Sequence, residues 1–483
     1  MLWKKLFRTM WQYKAQFISM ILMITIGVGI FVGFNMEWVS IDINTKRFFK
    51  ESHFADYRVV SELGFSEKDA ENVENIKGVD KVSRYISVPA DVKEKDGDSL
   101  ALTVTENFDV SSFLKVDGAD YDKKSEDGLW ISDKYAAAND ISIGDKLTLV
   151  YKGITINTVV KGTVKSGEHL VCVRDETQLM PDYNTYGFGY ISPAAYKKAL
   201  GRDYYPQLNI ISDLSKEEIT DKTDDALGKT TLVLSKDENS SYSAADGEME
   251  EGKTMGSVLP VLFLLIAVLT MVTTMHRLTA KEKVQIGTLK ALGFRDKRIL
   301  RHYTSYAFMI GIIGSVAGIG LGYLVARMIM GRDGTMGTYF DMPYWELRLP
   351  TFCIVILAVL ILALTLIGFL SVKEMLKGTA ADSLRPYAPK KMKKLLLEKT
   401  TLWNRFSFGT RWNMRDIMRH KSRTLMSLVG IAGCMVIVVG TMGMRDTMNA
   451  FLSTYYDDSM KYSSRIYLSE TATEEDTQKI IDT

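Results

Sequence analysis

The chain has 483 residues, more than one ordinary soluble domain needs, with 24% charged and 46% hydrophobic residues. A net charge of +2 gives no support to a nucleic-acid partner, which needs a strongly basic face. The three cysteines (Cys172, Cys353, Cys434) and five histidines are too scattered to make a disulfide framework or a metal cluster.

Residues 1–16 are a short basic segment carrying Lys4, Lys5, Arg8 and Lys14. Phe17–Met36 follows without a charged residue. A helix rises about 1.5 Å per residue, so crossing a hydrocarbon core of about 30 Å takes about 20 apolar residues. The run is too long for the core of a signal peptide and no small-x-small cleavage site follows it, so it is predicted to remain as a first membrane span.

Residues 35–255 form a single polar insertion of 221 residues, long enough to bury a core of its own. Its pattern is mixed α and β. Strands are predicted at 57–61, 82–88, 146–151, 154–160, 207–211 and 230–234. Helices are predicted from Ser66, over 192–200 with Gly201 as the stop, and over 216–227. Lys152-Gly153 is a hairpin signal, and Asp140–Gly144 a turn. The polar, acidic stretch 237–253 reads as a flexible tether. No nucleophile with a base and no Gly-rich phosphate loop is found here.

Four further apolar runs follow at 258–275, 306–329, 352–370 and 425–444. The fold class is therefore an α-helical multi-pass membrane protein with an inserted α+β extracytoplasmic domain. Lys and Arg resist translocation, so basic loops mark the cytoplasmic side. The N-terminus, the loop 276–305 and the linker 372–424 are the basic segments; the insertion, the short loop after the third span and residues 445–483 are assigned outside. That places the protein in the plasma membrane with a cytoplasmic N-terminus.

The loop 276–305 carries the most distinctive stretch, Lys281-Glu-Lys-Val-Gln-Ile-Gly-Thr-Leu-Lys-Ala-Leu-Gly293. Ile286, Leu289 and Leu292 recur at a spacing of three, giving one apolar stripe on a short helix with Gly293 as its C-cap. A second helix is expected from Asp296 into the third span. Such a stripe suits an interfacial helix with its lysines on lipid headgroups, or a docking helix for a cytoplasmic partner.

The stretch resembles the FtsX-like permease family, which includes MacB-type ABC transporters. The family's loop runs basic, basic, Glu, Ile, Gly, then Leu-Lys-Ala-Leu-Gly. Here Lys283, Val284, Gln285, Ile286 and Gly287 occupy the first part, and Leu289, Lys290, Ala291, Leu292 and Gly293 the second. Gln285 departs from the usual Glu, with Glu282 one turn away. Ala380-Ala-Asp-Ser-Leu-Arg385 resembles the family's Pro-Ala-Glu-x-Leu-Arg, and segments 76–82 and 141–147 its ectodomain signatures. The resemblance covers roughly residues 1–385 and places a permease core over 257–371.

The region of the fifth span echoes that of the first at an offset of 407: Arg8 with Arg415, Lys14 with Lys421, Ile24 with Ile431, Gly33 with Gly440 and Arg58 with Arg465. By this repeat, 445–483 reads as the start of a second ectodomain, and the chain as an incomplete two-repeat permease or as one ending in a tail. Among the expectations is close packing of the third span through Gly311, Gly314, Gly318, Gly320 and Gly322.

The resemblance implies a permease subunit with no cofactor of its own, ATP being bound by a separate cytoplasmic ABC ATPase subunit that presses on a coupling loop. The loop residues implied are Glu282, Gln285, Ile286, Gly287, Leu289, Lys290, Ala291, Leu292 and Gly293. Membrane lipids and an extracellular partner or substrate complete the expected partners. Export or extraction of a peptide, antibiotic or lipid-linked molecule is one expectation. Activation of an extracellular partner without transport is another, and a membrane-anchored sensor without an ATPase a third. No catalytic site is expected.

Overall fold

A computed structural model describes residues 2–95, 97–175, 178–201, 203–376, 379, 403, 405–419, 421–459 and 478. The chain divides into two compact units, Met1–Leu384 and Arg385–Thr483. Among the described residues, five helices are long and apolar enough to cross a membrane.

The first unit opens with α1 (Leu2–Gln12) and α2 (Lys14–Glu51). The apolar run at 17–36 thus lies in the first part of a longer helix, which carries on past it as a stalk into the inserted domain. The domain itself comprises β1 (Tyr57–Val60), α3 (Glu67–Glu74), β2 (Val79–Val92), β3 (Ser99–Thr105), β4 (Phe113–Gly118), β5 (Gly128–Ser132) and α4 (Asp133–Ala138). β6 (Lys146–Tyr151), β7 (Ile154–Ser166), β8 (Tyr186–Ile191), α5 (Pro193–Leu200), β9 (Gln207–Ser212), α6 (Lys216–Leu227) and β10 (Leu232–Ser235) complete it. The strands form one mixed sheet in the order β10-β1-β9-β2-β3-β8-β5-β7-β4, with β6 pairing β2 and β7. Only β3 with β8 and β5 with β7 run parallel among these pairs.

Local chemistry explains where these elements start and stop. Ser66, Ser192 and Ser215 accept backbone N–H groups at the starts of α3, α5 and α6, with capping boxes at Ser66 and Ser215. Gly201 and Gly228 end α5 and α6 in the left-handed conformation. Lys152 (φ 49°) and Gly153 (φ 78°) both take positive φ, the requirement of the two-residue turn joining β6 to β7.

The stretch 237–253 is not a tether. Residues 240–253 belong to α7 (Ser240–Lys281), which follows a 3-10 turn at Lys236–Glu238 and carries straight into the second span. Asn239 caps it by accepting from the Ser241 and Tyr242 amides, and Tyr242 and Ala245 pack into an apolar cluster with Ile41, Phe49 and Phe54. Polar residues there cover one face of a packed helix, and the acidic composition concealed the other face.

After α7 come α8 (Lys283–Ala291), α9 (Asp296–Met330), α10 (Thr335–Tyr339) and α11 (Thr351–Met375). The five glycines of α9 do not behave alike. A Cβ built at Gly314, Gly318 or Gly322 would lie 2.7, 2.5 or 2.7 Å from Ile24, Val28 or Val32 of α2, whereas Gly320 faces open space and Gly311 makes only ordinary contacts. The four-residue spacing of the first three lets two backbones approach, and the Thr25 hydroxyl donates to the Gly314 carbonyl at 3.3 Å.

In the second unit, a helix over Phe408–Arg419 is followed by one over Lys421–Ser453. The first unit repeats this design, a short helix and then a long one. The long helices open at Lys14 and Lys421, in the register of the repeat. Arg465, the 380–385 motif and most of 445–483 lie outside the described residues.

Candidate functional site: a helical loop and the junction it leads to

Loop 276–305 is helical almost throughout. α7 breaks at Glu282, which ends that helix and begins α8. Glu282 is fully buried. Its carboxylate accepts from the Tyr303 hydroxyl at 3.1 Å and from Gln285 Nε2 at 3.3 Å. Gln285 is therefore a donor to Glu282, a role a carboxylate at this position would not fill. Burial lowers the pKa of Lys5, offset in part by Glu282, and burial together with Glu282 raises that of Tyr13.

α8 turns one face inward. Ile286 and Gly287 are buried, and Leu289 packs partly on the same cluster as Leu6, Leu278, Ile299 and Tyr303. Leu292 does not join them: it is 70% exposed, and Val284 is 57% exposed. A spacing of three drifts round a helix of 3.6 residues per turn, so by its third member the stripe has left the inward face. The outward stripe is Val284, Thr288, Ala291 and Leu292, all exposed. Gly293 (φ 83°) follows with the two bonds of a Schellman motif, Gly293 N–H to Lys290 O at 3.0 Å and Phe294 N–H to Leu289 O at 3.1 Å. Lys290 is turned away from the outward stripe: its Nζ donates to the Leu376 carbonyl at 2.7 Å and pairs with Asp296 at 3.2 Å.

From this loop, α7 and α9 run the length of the helical layer beside α2. Asn35 Nδ2 donates to the Gly256 carbonyl at 2.9 Å and so ties α2 to α7. At the far end the helices meet the inserted domain around residues 167–171. The Ser241 hydroxyl at the start of α7 donates to the Glu168 carbonyl at 3.0 Å and accepts from the Val171 amide at 3.2 Å. Arg58 pairs with Glu168 at 2.6 Å, with both side chains buried. A Cβ at Gly167 would meet the Ser52 hydroxyl at the end of α2 at 2.5 Å.

The segment joining α9 to α11 docks on the same junction. The Asp341 amide donates to the Leu170 carbonyl at 2.8 Å, and Asp341 pairs with Lys165 of β7, which also holds Asp133 at 2.7 Å. Lys134 donates to the Gly337 and Phe340 carbonyls at 2.7 and 2.9 Å. Burial pushes the Asp341 carboxyl up and Lys165 pulls it back; burial pulls Lys134 down. Farther along, Asn44 of α2 exchanges two hydrogen bonds with the Glu346 backbone, and Arg47 pairs with its carboxylate at 3.2 Å. Arg58, Lys134, Lys165, Glu168 and Asp341 were not among the expected site residues. Arg58 had stood out only as a repeat position, and no sequence spacing links the other four.

Apolar helices long enough to cross a membrane, an inserted α/β domain and a basic helical loop between the second and third of them together define a multi-pass membrane protein. Residues 257–380 match the FtsX-like permease C-terminal family, and the chain is similar to an ABC transporter permease. It is 26% identical over 284 residues to an uncharacterized ABC transporter permease of Methanocaldococcus jannaschii, covering 56% of this chain and 68% of that protein. Among solved structures it is similar to the extracellular domain of the noncanonic ABC-type transporter YknZ from Gram-positive bacteria, at 14% identity and TM-score 0.27, over 36% of this chain and 90% of that one. It is also similar to the periplasmic region of MacB from Actinobacillus actinomycetemcomitans, at 11% identity and TM-score 0.26, over 42% of this chain and 95% of that one. The family matched over 257–380 is one of permeases.

Proposed function

We propose that this chain is a coupling permease whose loop 276–305 docks a separate cytoplasmic ABC ATPase, which alone binds ATP. Movement of that loop would pass along α2, α7 and α9 to the inserted domain outside the plasma membrane. The observation that carries this reading is the outward stripe of Val284, Thr288, Ala291 and Leu292, on a helix whose opposite face is pinned by Ile286 and whose entry is fixed by Glu282. Exposed apolar side chains on an otherwise anchored basic helix suit a protein groove, with Lys281 and Arg295 around them. The basic loops support the orientation, with the N-terminus cytoplasmic. Work done on the outer domain, whether export or activation of an extracellular partner, uses the same transmission.

The test is co-purification of the full chain in detergent with its candidate ABC ATPase. Val284→Asp and Leu292→Asp are expected to lose the ATPase while keeping the elution volume of the wild type. Retention of the ATPase by both variants would move docking away from this stripe. If correctly folded wild-type chain captures no ATPase, the sensor reading takes its place.

A further inference from the structure

We propose that a groove between α9 and α11, on the loop side of the helical layer, is a binding site for one anionic phospholipid. The inference rests on the membrane reading and is independent of ATPase docking. The groove holds about 450 Å³ and is lined by Leu300, Thr304 and Phe308 of α9 and by Thr365 and Phe369 of α11. Its inner part is apolar and ring-lined, a surface for an acyl chain. Its mouth is cationic. Lys297 and Arg301, one turn apart on α9, line it, and Lys373 of α11 lies over the Phe369 ring at 5.7 Å.

Three features separate this groove from the general greasiness of a membrane helix. Lys297 and Arg301 are exposed and make no ion pair among the described residues, in contrast to Lys290 on the same loop, which is held by Asp296. The Thr304 hydroxyl is buried within the groove and has no hydrogen-bond partner among the described residues. A helical threonine ordinarily turns its hydroxyl to the carbonyl four residues back, as Thr365 does across the groove at 2.7 Å. An orphaned hydroxyl below two free cations is the donor set for a phosphate and its glycerol ester oxygens. The charge is also at the right depth. Phe308 is two turns farther into α9 than Arg301, so the cations reach the headgroup level while the rings stay in hydrocarbon. A free phosphate would use the mouth and leave the apolar part empty, so the occupant is a lipid.

The full chain in neutral detergent is mixed with equal amounts of phosphatidylglycerol and phosphatidylcholine bearing the same acyl chains. Native mass spectrometry reads the lipid retained. The expected result is one retained phosphatidylglycerol, favoured roughly tenfold over phosphatidylcholine from the attraction of clustered cations for an anionic headgroup. Lys297→Gln with Arg301→Gln should abolish the preference, and Thr304→Val should weaken it. Arg295→Gln with Arg298→Gln removes the same charge away from the groove and should leave it intact. Equal retention of the two lipids by wild type would overturn the proposal. So would an equal loss in the Arg295/Arg298 control, which would mean a diffuse basic surface, or displacement by glycerol phosphate, which would mean a phosphate site without an acyl chain. All variants alter exposed or small side chains, and an unchanged elution volume confirms that each is folded.

Discussion

Gly318 of α9 faces Val28 of α2 so closely that a Cβ on the glycine would lie 2.5 Å from that of the valine. The contact repeats one turn to either side, at Gly314 with Ile24 and at Gly322 with Val32. α2 and α9 are thereby held as a closely packed pair. Gly318→Leu should wedge the pair apart at a cost of about 1–3 kcal/mol, the usual penalty of overpacking. Gly320→Leu makes the same chemical change where nothing stands within 4 Å, and should be neutral. Thermal unfolding midpoints of the two variants in one detergent check this. Equal midpoints would mean that the helices separate without penalty.

The ion pair of Lys165 with Asp341 fastens the segment between α9 and α11 to the inserted domain, and both side chains are buried. Removing one partner of a buried pair leaves the other charged and desolvated, at about 3–5 kcal/mol. Lys165→Met should therefore be strongly destabilising, softened by Lys134 at 4.0 Å from the same carboxylate. Lys165→Met combined with Asp341→Leu should recover part of the loss, since it removes the buried Asp341 charge that the single variant strands, while Asp133 still loses its Lys165 partner. Hydrogen exchange at the Asp341 amide, bonded to the Leu170 carbonyl, reads the release of the segment directly. A double variant no better than the single would show that the pair is not what holds it.

Much of this architecture was legible in the sequence because it is written in local signals. Ser66, Ser192 and Ser215 are caps, Gly201 is a stop, and Lys152-Gly153 is a turn, and each sits where its chemistry places it. β3, β4, β5 and β8 were missed. β3 and β5 are buried at every position, so no alternation marks them, and β8 is interrupted by two glycines, Gly187 and Gly189. Both glycines sit under neighbouring side chains, Tyr135 and Leu129, which is why a strand can tolerate them. In the loop, spacing identified the inward residue Ile286 but carried Leu292 inward as well, because three-residue repeats drift on a 3.6-residue helix. The junction residues could not be found at all. Arg58 with Glu168 and Lys165 with Asp341 are 110 and 176 residues apart, and only the folded chain brings them together.

His169, in the junction, stacks on Phe188 at 4.6 Å, and burial pulls its pKa down from 6.5 to about 4. A lowered histidine pKa means that the unfolded chain takes up the proton first. Stability is whole above pH 6.5 and falls as the pH drops from there toward 4. The full shift corresponds to roughly 3 kcal/mol, and to less here because His169 is only partly buried. His169→Gln should flatten the difference between denaturation midpoints at pH 7 and pH 5 relative to wild type. An identical pH slope in the two proteins would assign the acid sensitivity to other groups.

Ile286 and Leu292 lie on one short helix and should respond oppositely to the same substitution. Ile286 is 1% exposed within a cluster that also holds Leu278, Ile299 and Tyr303, so Ile286→Asp forces a carboxylate into an apolar site, a change of the kind that costs several kcal/mol. Leu292 is 70% exposed, and Leu292→Asp should move stability by no more than about 0.5 kcal/mol. The contrast decides how docking experiments on this loop are to be read. A partner lost with Ile286→Asp reports a damaged loop, as does one lost with a charge at the buried Gly287. A partner lost with Leu292→Asp or Val284→Asp, at an unchanged thermal midpoint, reports a missing contact. If Leu292→Asp lowers the midpoint as far as Ile286→Asp does, the outward stripe is packed within the chain itself, and the face offered to the ATPase must be sought among the basic side chains beside it.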